Sequence, residues 1–318
     1  MKNNSTNILL TNTMMIGVIM TICSNNWISM WMGMEITLVS FIPLMQSTNL
    51  KSSESMIKYF LMQSISSTLF LLSIVIMLIG VNMMNNFLIT ISLAIKLGIA
   101  PFHNWILIII ENLTMYSLLI ILSVLKIPPI SILFQVETKF TLIFSLLSMT
   151  ISAVQCLNQT SLKKILGFSS IFNMSLIIMV INNMNIIIVY MILYSTSLFF
   201  IINLVSPLKI NFINQISFNE FPMFTKINIW INMLSMSGFP PLMGFLNKVL
   251  IIQSMLIYNE GYFINSSYIF LYTNSIFIYN FPNSSKKWSN LSSLKYLLFP
   301  MTLNMTIFPL IYSINLVF

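Results

Sequence analysis

Four ionisable residues, Glu35, Lys96, Lys126 and Lys248, lie in stretches of the chain that are otherwise apolar. A charge at the centre of a bilayer costs about 2.5 to 3.5 kcal/mol on insertion scales, so four of them together need a reason. One carboxylate and three amines can hold a proton and pass it on, and the proton affinity of a lysine responds strongly to burial. The chemistry they suggest is a proton path. The same residues would also serve as ionic glue, with Glu35 pairing one lysine and fixing helix register.

The backbone around these charges is unusual. Lys96 opens Lys96-Leu97-Gly98-Ile99-Ala100-Pro101, where Pro101 removes a donor and clashes with the preceding turn, so a helix break is expected. Gly238-Phe239-Pro240-Pro241 predicts a second break just before Gly244 and Lys248, and Pro128-Pro129 follows Lys126. Carbonyls freed at membrane depth are tolerated only where protein or water covers them. Two Gly/Pro-interrupted spans, one in each half, point to an inverted repeat with its site near the midplane. The order differs between halves, however, because Lys96 precedes its break and Lys248 follows its own.

Other polar residues have two readings each. His103, the single histidine, suits a proton relay by its titration range and equally suits capping the broken backbone. Glu54 and Lys58, four residues apart on one helical face, are either a path entrance or an interfacial ion pair. Glu111 and Glu137 read as boundary charges.

The elements that must position these groups are membrane helices. The 318 residues are 57% hydrophobic and 6% charged, with a mean hydropathy of +0.92, which excludes a water-soluble domain of this size. Runs of roughly 20 apolar residues follow one another with short polar breaks, predicting an all-α polytopic protein of about eleven spans. They are Ile8–Cys23, Trp27–Gln46, Met56–Gly80, Phe87–Ile110, Leu113–Phe134, Phe140–Leu157, Ile165–Ile181, Ile186–Val205, Ile227–Tyr258, Tyr262–Phe281 and Tyr296–Phe318. The expected organisation is one membrane domain over 1–318, with halves at 8–157 and 165–281 and a final helix at 296–318. The apolar stretch after Lys2 lacks a small-residue cleavage site and reads as a retained first span.

Ten of the fourteen lysines fall in or beside loops on the N-terminal side under this span list: Lys2, Lys51, Lys58, Lys163, Lys164, Lys209, Lys226, Lys286, Lys287 and Lys295. Only Lys139 lies opposite. Positive residues in short loops stay on the side of insertion, so the asymmetry places the N-terminus inside with an odd number of spans. The net charge of +8 is spread singly over loops and makes no nucleic-acid patch. Cys23 and Cys156 lack metal-ligand spacing, and no nucleotide, flavin or iron-sulfur motif occurs. With no Arg or Asp, and rich in Ile, Asn, Met and Phe, the composition is that of an AT-rich, organelle-encoded gene.

Several motifs resemble a known family. Trp31-Met32-Gly33-Met34-Glu35, Ser53-Glu54 with Ile57-Lys58-Tyr59-Phe60-Leu61, Lys96-Leu97-Gly98-Ile99-Ala100-Pro101-Phe102-His103, Leu157-Asn158-Gln159-Thr160-Ser161-Leu162-Lys163-Lys164, and Gly238-Phe239-Pro240-Pro241-Leu242-Met243-Gly244-Phe245-Leu246-Asn247-Lys248 are similar in content and order to the chain 2 family of animal, insect-type mitochondrial NADH:ubiquinone oxidoreductase. Departures are Val124-Leu125 before Lys126, Val249 after Lys248, and Ser237 before Gly238; none removes a charge.

The resemblance implies an antiporter-like core subunit of the membrane arm of respiratory complex I, with the first three family helices absent. It implies that Glu35 and Lys96 form the coupled pair of one half-channel, that Lys126 passes protons along the central axis, and that Lys248 serves the other half. His103, Lys58, Glu54, Pro101, Gly238, Pro240 and Pro241 are the expected relay or helix-break positions. The implied enzyme is a proton-translocating NADH:ubiquinone reductase in the mitochondrial inner membrane, with lysine-rich loops in the matrix. This chain is expected to bind no cofactor; NADH, FMN, iron-sulfur clusters and ubiquinone belong to the whole complex. Expected partners are other membrane-arm and accessory subunits and lipids, with no nucleic acid. The alternatives are a structural subunit whose charges do not conduct, or a free-standing cation/proton antiporter.

Overall fold

A computed structural model of the chain describes residues 5–47, 50–80, 82–136, 140–217, 222–239 and 242–257. The tenth and eleventh expected spans lie outside these residues, as do Lys2, Glu137, Lys139, Pro240, Pro241, Lys286, Lys287 and Lys295.

The described regular structure is helical. Its elements are α1 (Ser5–Cys23), α2 (Trp27–Leu44), α3 (Leu50–Ile79), α4 (Asn82–Leu97), α5 (Asn104–Asn112), α6 (Met115–Leu122), a single 3-10 turn (Val124–Lys126), α7 (Ile127–Val136), α8 (Phe140–Leu157), α9 (Leu162–Met179), α10 (Met184–Leu208), α11 (Ile213–Ser217), α12 (Met223–Ser237) and α13 (Met243–Ile257). Among the described residues, seven helical segments are long and apolar enough to cross a membrane: α1, α2, α3, the run from α6 to α7, α8, α9 and α10. Two more expected spans, Phe87–Ile110 and Ile227–Tyr258, are each divided, the first into α4 and α5 and the second into α12 and α13. The short α11 has no counterpart in the hydropathy reading, because five residues lie below the length it detects.

These segments form helices because lipid leaves no other partner for backbone groups. Their many serines and threonines do not disrupt them, because the hydroxyls donate to the carbonyl three residues earlier. Thr21 bonds Val18, Thr37 bonds Met34, Ser66 bonds Gln63 and Ser92 bonds Ile89, all at 2.7 Å. Large apolar side chains such as Ile8, Leu9, Leu78 and Val154 stay on the outside, where a lipid solvent would receive them.

The contacts divide the chain into two units. The first comprises α1 to α7 with the start of α8 and the end of α9. In it α1 packs along α2, α3 packs on α2, α4 and α5, and α7 packs on α1, α2 and α4. The α1/α2 crossing is built on small residues: a Cβ on Gly33 would lie 2.6 Å from Thr21 Cγ2 and 3.0 Å from the Gly17 carbonyl oxygen, and one on Gly17 would lie 2.8 Å from Thr37 Cγ2. Gly17 and Thr21 on one helix thus face Gly33 and Thr37 on the other, each pair four residues apart, so the backbones touch. That contact fixes α2, which carries Glu35.

The second unit holds the end of α8, the start of α9 and α10 to α13. Here the segment Thr160–Leu162 pairs with Asn211–Ile213, through Leu162 N to the Asn211 carbonyl at 2.9 Å and Ile213 N to the Thr160 carbonyl at 3.0 Å. The loops bearing Lys163, Lys164 and Lys209 therefore lie on one side, as the lysine distribution requires of loops two spans apart.

Candidate functional site

Both helix breaks close in the same way. At the end of α4, Gly98 adopts φ 65° and its N–H donates to the Ile95 carbonyl at 3.1 Å, while Ile99 N–H donates to Ala94 at 3.0 Å. At the end of α12, Gly238 adopts φ 81°, its N–H donates to Ser235 at 3.1 Å, and Phe239 N–H donates to Leu234 at 3.2 Å. This is the left-handed glycine closure that ends many helices. Each helix therefore stops at its glycine. Pro101 is exposed and stands four residues beyond Leu97, the last residue of α4, whose carbonyl its missing N–H would have served, so the proline and the left-handed Gly98 both fall at the break. Pro128 and Pro129 occupy the first turn of α7, where a missing N–H costs nothing, and the span continues past them through the 3-10 turn.

Each break exposes carbonyls at the end of its first half-helix, and the second half-helix returns a donor. In the first, Trp105 on α5 donates its indole N–H to the Ile95 carbonyl at 3.1 Å. In the second, Lys248 on α13 donates to the Ser237 carbonyl, and its side chain lies so near Gly238 that a Cβ there would meet Lys248 Cδ at 2.6 Å. The lysine thus sits at the negative end of the α12 dipole. His103 is buried at the start of α5, in the first break.

Lys96 lies in the last turn of α4, half-buried, with Nζ 3.4 Å from Met34 Sδ. Glu35, one residue along α2 from Met34, interacts with Lys96 electrostatically, but no direct ion pair joins them. The half-buried Glu35 keeps Oε1 out of solvent without a hydrogen bond to protein. Lys126, 3% exposed, ends the 3-10 turn and donates to Ser170 Oγ on α9 at 3.0 Å. Lys96 and Lys126 line one cavity, together with Thr37, Tyr59, Gln63 and Trp105. Glu54 and Lys58 form an exposed i,i+4 ion pair at the start of α3, and Glu111 is exposed near the end of α5.

Lys248 stands in the second unit and is likewise 3% exposed. There α12 leads to its break with a buried polar face that carries no charge: Thr225, Asn228, Asn232 and Ser235. Asn232 Nδ2 donates to the Asn228 carbonyl at 2.8 Å and to Asn228 Oδ1 at 3.1 Å. Their 3,4,3 spacing was visible in the sequence as a helical stripe. At 1.5 Å per residue the stripe runs roughly 15 Å, half the thickness of a hydrocarbon core.

The chain matches the family described as NADH:quinone oxidoreductase/Mrp antiporter, TM, over residues 24–276. It is similar to the NADH-ubiquinone oxidoreductase chain 2 of Anopheles gambiae, with 36% identity over 307 residues covering 90% of this chain and 89% of that one. The chain 2 of Didelphis virginiana is 35% identical over 266 residues, 78% of this chain and 76% of that one. In fold it is similar to a chain of respiratory complex I from Thermus thermophilus with bound aureothin, at a TM-score of 0.84 and 15% identity over 96% of this chain and 78% of that one. A chain of the Mrp complex from Dietzia sp. DQ12-45-1b gives a TM-score of 0.73 at 12% identity, over 89% of this chain and 61% of that one.

Proposed function

The chain belongs to the NADH:quinone oxidoreductase/Mrp antiporter family, among its NADH-ubiquinone oxidoreductase chain 2 members, and from that premise we propose that it conducts protons through the membrane arm of respiratory complex I. The observation that carries this reading is the shared cavity of Lys96 and Lys126, with Glu35 within electrostatic range of Lys96. A carboxylate that attracts an amine without bonding it lets the amine's charge respond to a neighbour. A tight ion pair would lock it.

In this reading Glu35 and Lys96 make one half of the path, Lys126 connects it inward, and Lys248 serves the other half. The chain is a single membrane domain of the mitochondrial inner membrane with its lysine-rich loops in the matrix. NADH, FMN, iron-sulfur clusters and ubiquinone act in partner subunits, and shifts of charge arising there drive the lysines here. His103, Pro101 and Gly238 support the breaks.

The test is complex I carrying Lys96→Met, sealed in vesicles and supplied with NADH and quinone. Fewer protons moved per electron is the expected result, and an unchanged ratio sinks the role. A subunit whose charges only lock helices together predicts loss of assembly, with normal pumping by whatever assembles. A free-standing antiporter predicts a stable isolated chain exchanging Na⁺ for H⁺.

A further inference from the structure

The two amines that line the cavity of the first unit are not joined by any protein group that touches both. Lys96 Nζ lies against Met34 Sδ, and Lys126 Nζ is bonded to Ser170. Most other polar groups on the wall are committed. Thr37 donates to the Met34 carbonyl at 2.7 Å, and the Trp105 indole donates to Ile95 at 3.1 Å. Two remain, the hydroxyl of Tyr59 and the carboxamide of Gln63.

Both residues come from the buried face of α3, which is lined by Ser52, Ser55, Ser66, Ser67 and Ser73. Those serines need no further explanation. Their hydroxyls bond back to backbone carbonyls, as Ser55 does to Ser52 at 2.8 Å and Ser67 to Ser64 at 2.9 Å, which lets neighbouring helices pack closely. Gln63 breaks that pattern. Only 7% exposed, its carboxamide makes no hydrogen bond to another described residue and lines the cavity. It is also central: with Leu50 and Ile79 as the ends of α3, it stands roughly 20 Å from one and 24 Å from the other. An amide buried at mid-membrane keeps its hydrogen bonds only by taking water or a ligand.

The cavity has about 30 Å³ of water-accessible volume. One water needs roughly 10 to 15 Å³, so there is room for about two. An amide carries both a donor NH2 and an acceptor oxygen, so it can accept from a charged ammonium and donate to water or a neutral amine. It suits either charge state of each lysine. Tyr59, one turn earlier, interacts electrostatically with Glu35 and belongs to that end of the cavity.

We propose that Gln63 is a positioning residue of the proton path, its carboxamide ordering the water that joins Lys96 to Lys126. The proposal rests on the reading of the chain as a proton conductor. Gln63 does not itself take up the proton; it fixes the hydrogen-bonded line along which the proton moves between the amines.

The experiment uses whole complex I in sealed vesicles, measuring protons moved per electron together with the rate of NADH oxidation. Gln63→Leu should lower the proton ratio towards that of Lys96→Met while NADH oxidation falls less than about twofold. Gln63→Asn, which keeps the donor and acceptor of the amide one methylene shorter, should keep most of the ratio of the unaltered complex. Where leucine prevents assembly, Gln63→Met, unbranched and similar in volume, carries the same readout. An unchanged ratio in the apolar variants, with Lys96→Met still lowering it, overturns the role of Gln63 alone. Silence in Lys96→Met as well overturns the conducting reading. Failure of all three Gln63 variants to assemble makes the residue structural and overturns the proposal too.

Discussion

Lys248 reaches back over the break that precedes it and donates to the carbonyl of Ser237, the last residue of α12. In the sequence the two are eleven residues apart and separated by the Gly-Phe-Pro-Pro segment. In the fold the amine sits at the end of the first half-helix, so the charge on Lys248 and the closure of α12 are one arrangement.

Gly238→Ala tests that arrangement. A left-handed residue with a Cβ costs about 1 to 2 kcal/mol, and here the Cβ would also strike Lys248 Cδ and Cε, at 2.6 and 2.7 Å. Gly80→Ala is the control, since Gly80 adopts φ 94° with nothing within 4 Å of the added carbon. Both variants should lower the thermal midpoint of the purified complex by similar amounts. Only Gly238→Ala should also lower the protons moved per electron, because only it displaces the lysine.

Trp105→Phe addresses the first break. It keeps an aromatic ring in place of the indole, which packs 6.1 Å from Tyr59 between centroids, and deletes the indole donor to Ile95. The Ile95 carbonyl keeps the Gly98 N–H and loses its second donor, which costs about 0.5 to 1.5 kcal/mol. Amide hydrogen exchange at Gly98 and Ile99 should accelerate by up to roughly tenfold, while exchange in α1 and α2 stays as it was. Unchanged protection at Gly98 would show that the indole does not hold the break closed.

Gly33→Val tests the support of Glu35. The first added carbon already meets Thr21 Cγ2 at 2.6 Å, and overpacking of this kind costs about 1 to 3 kcal/mol. Reduced yield of assembled complex is the expected outcome, with partial recovery from Thr21→Ser, which removes the methyl that is struck. The double variant yielding no more complex than Gly33→Val would place the fault elsewhere.

Much of this was readable from residue types. The apolar runs placed α1, α2, α8, α9 and α10 to within about three residues at each end, Phe140–Leu157 at both, because lipid demands a continuous helix long enough to cross it. The four charges were identifiable because each stands out against its own apolar span. The breaks were legible as places, since Gly and Pro cluster there. Their closure was not, because proline's lost donor is obvious in a sequence whereas glycine's positive φ shows only in the backbone.

The sequence by itself determined that Glu35, Lys96, Lys126 and Lys248 lie within apolar spans, and which helices carry them. Only the tertiary structure decided their partners. Ser170 meets Lys126 across 44 residues of chain, Met34 stands against Lys96 across 62, and Gln63 faces a cavity from a helix face that otherwise looks like serine packing. Hydropathy depends on one residue's preference for lipid, a property that each residue carries alone. A hydrogen bond or a shared cavity depends on which faces of several helices are turned together, and that is settled by contacts such as Gly17 against Gly33, where two backbones touch.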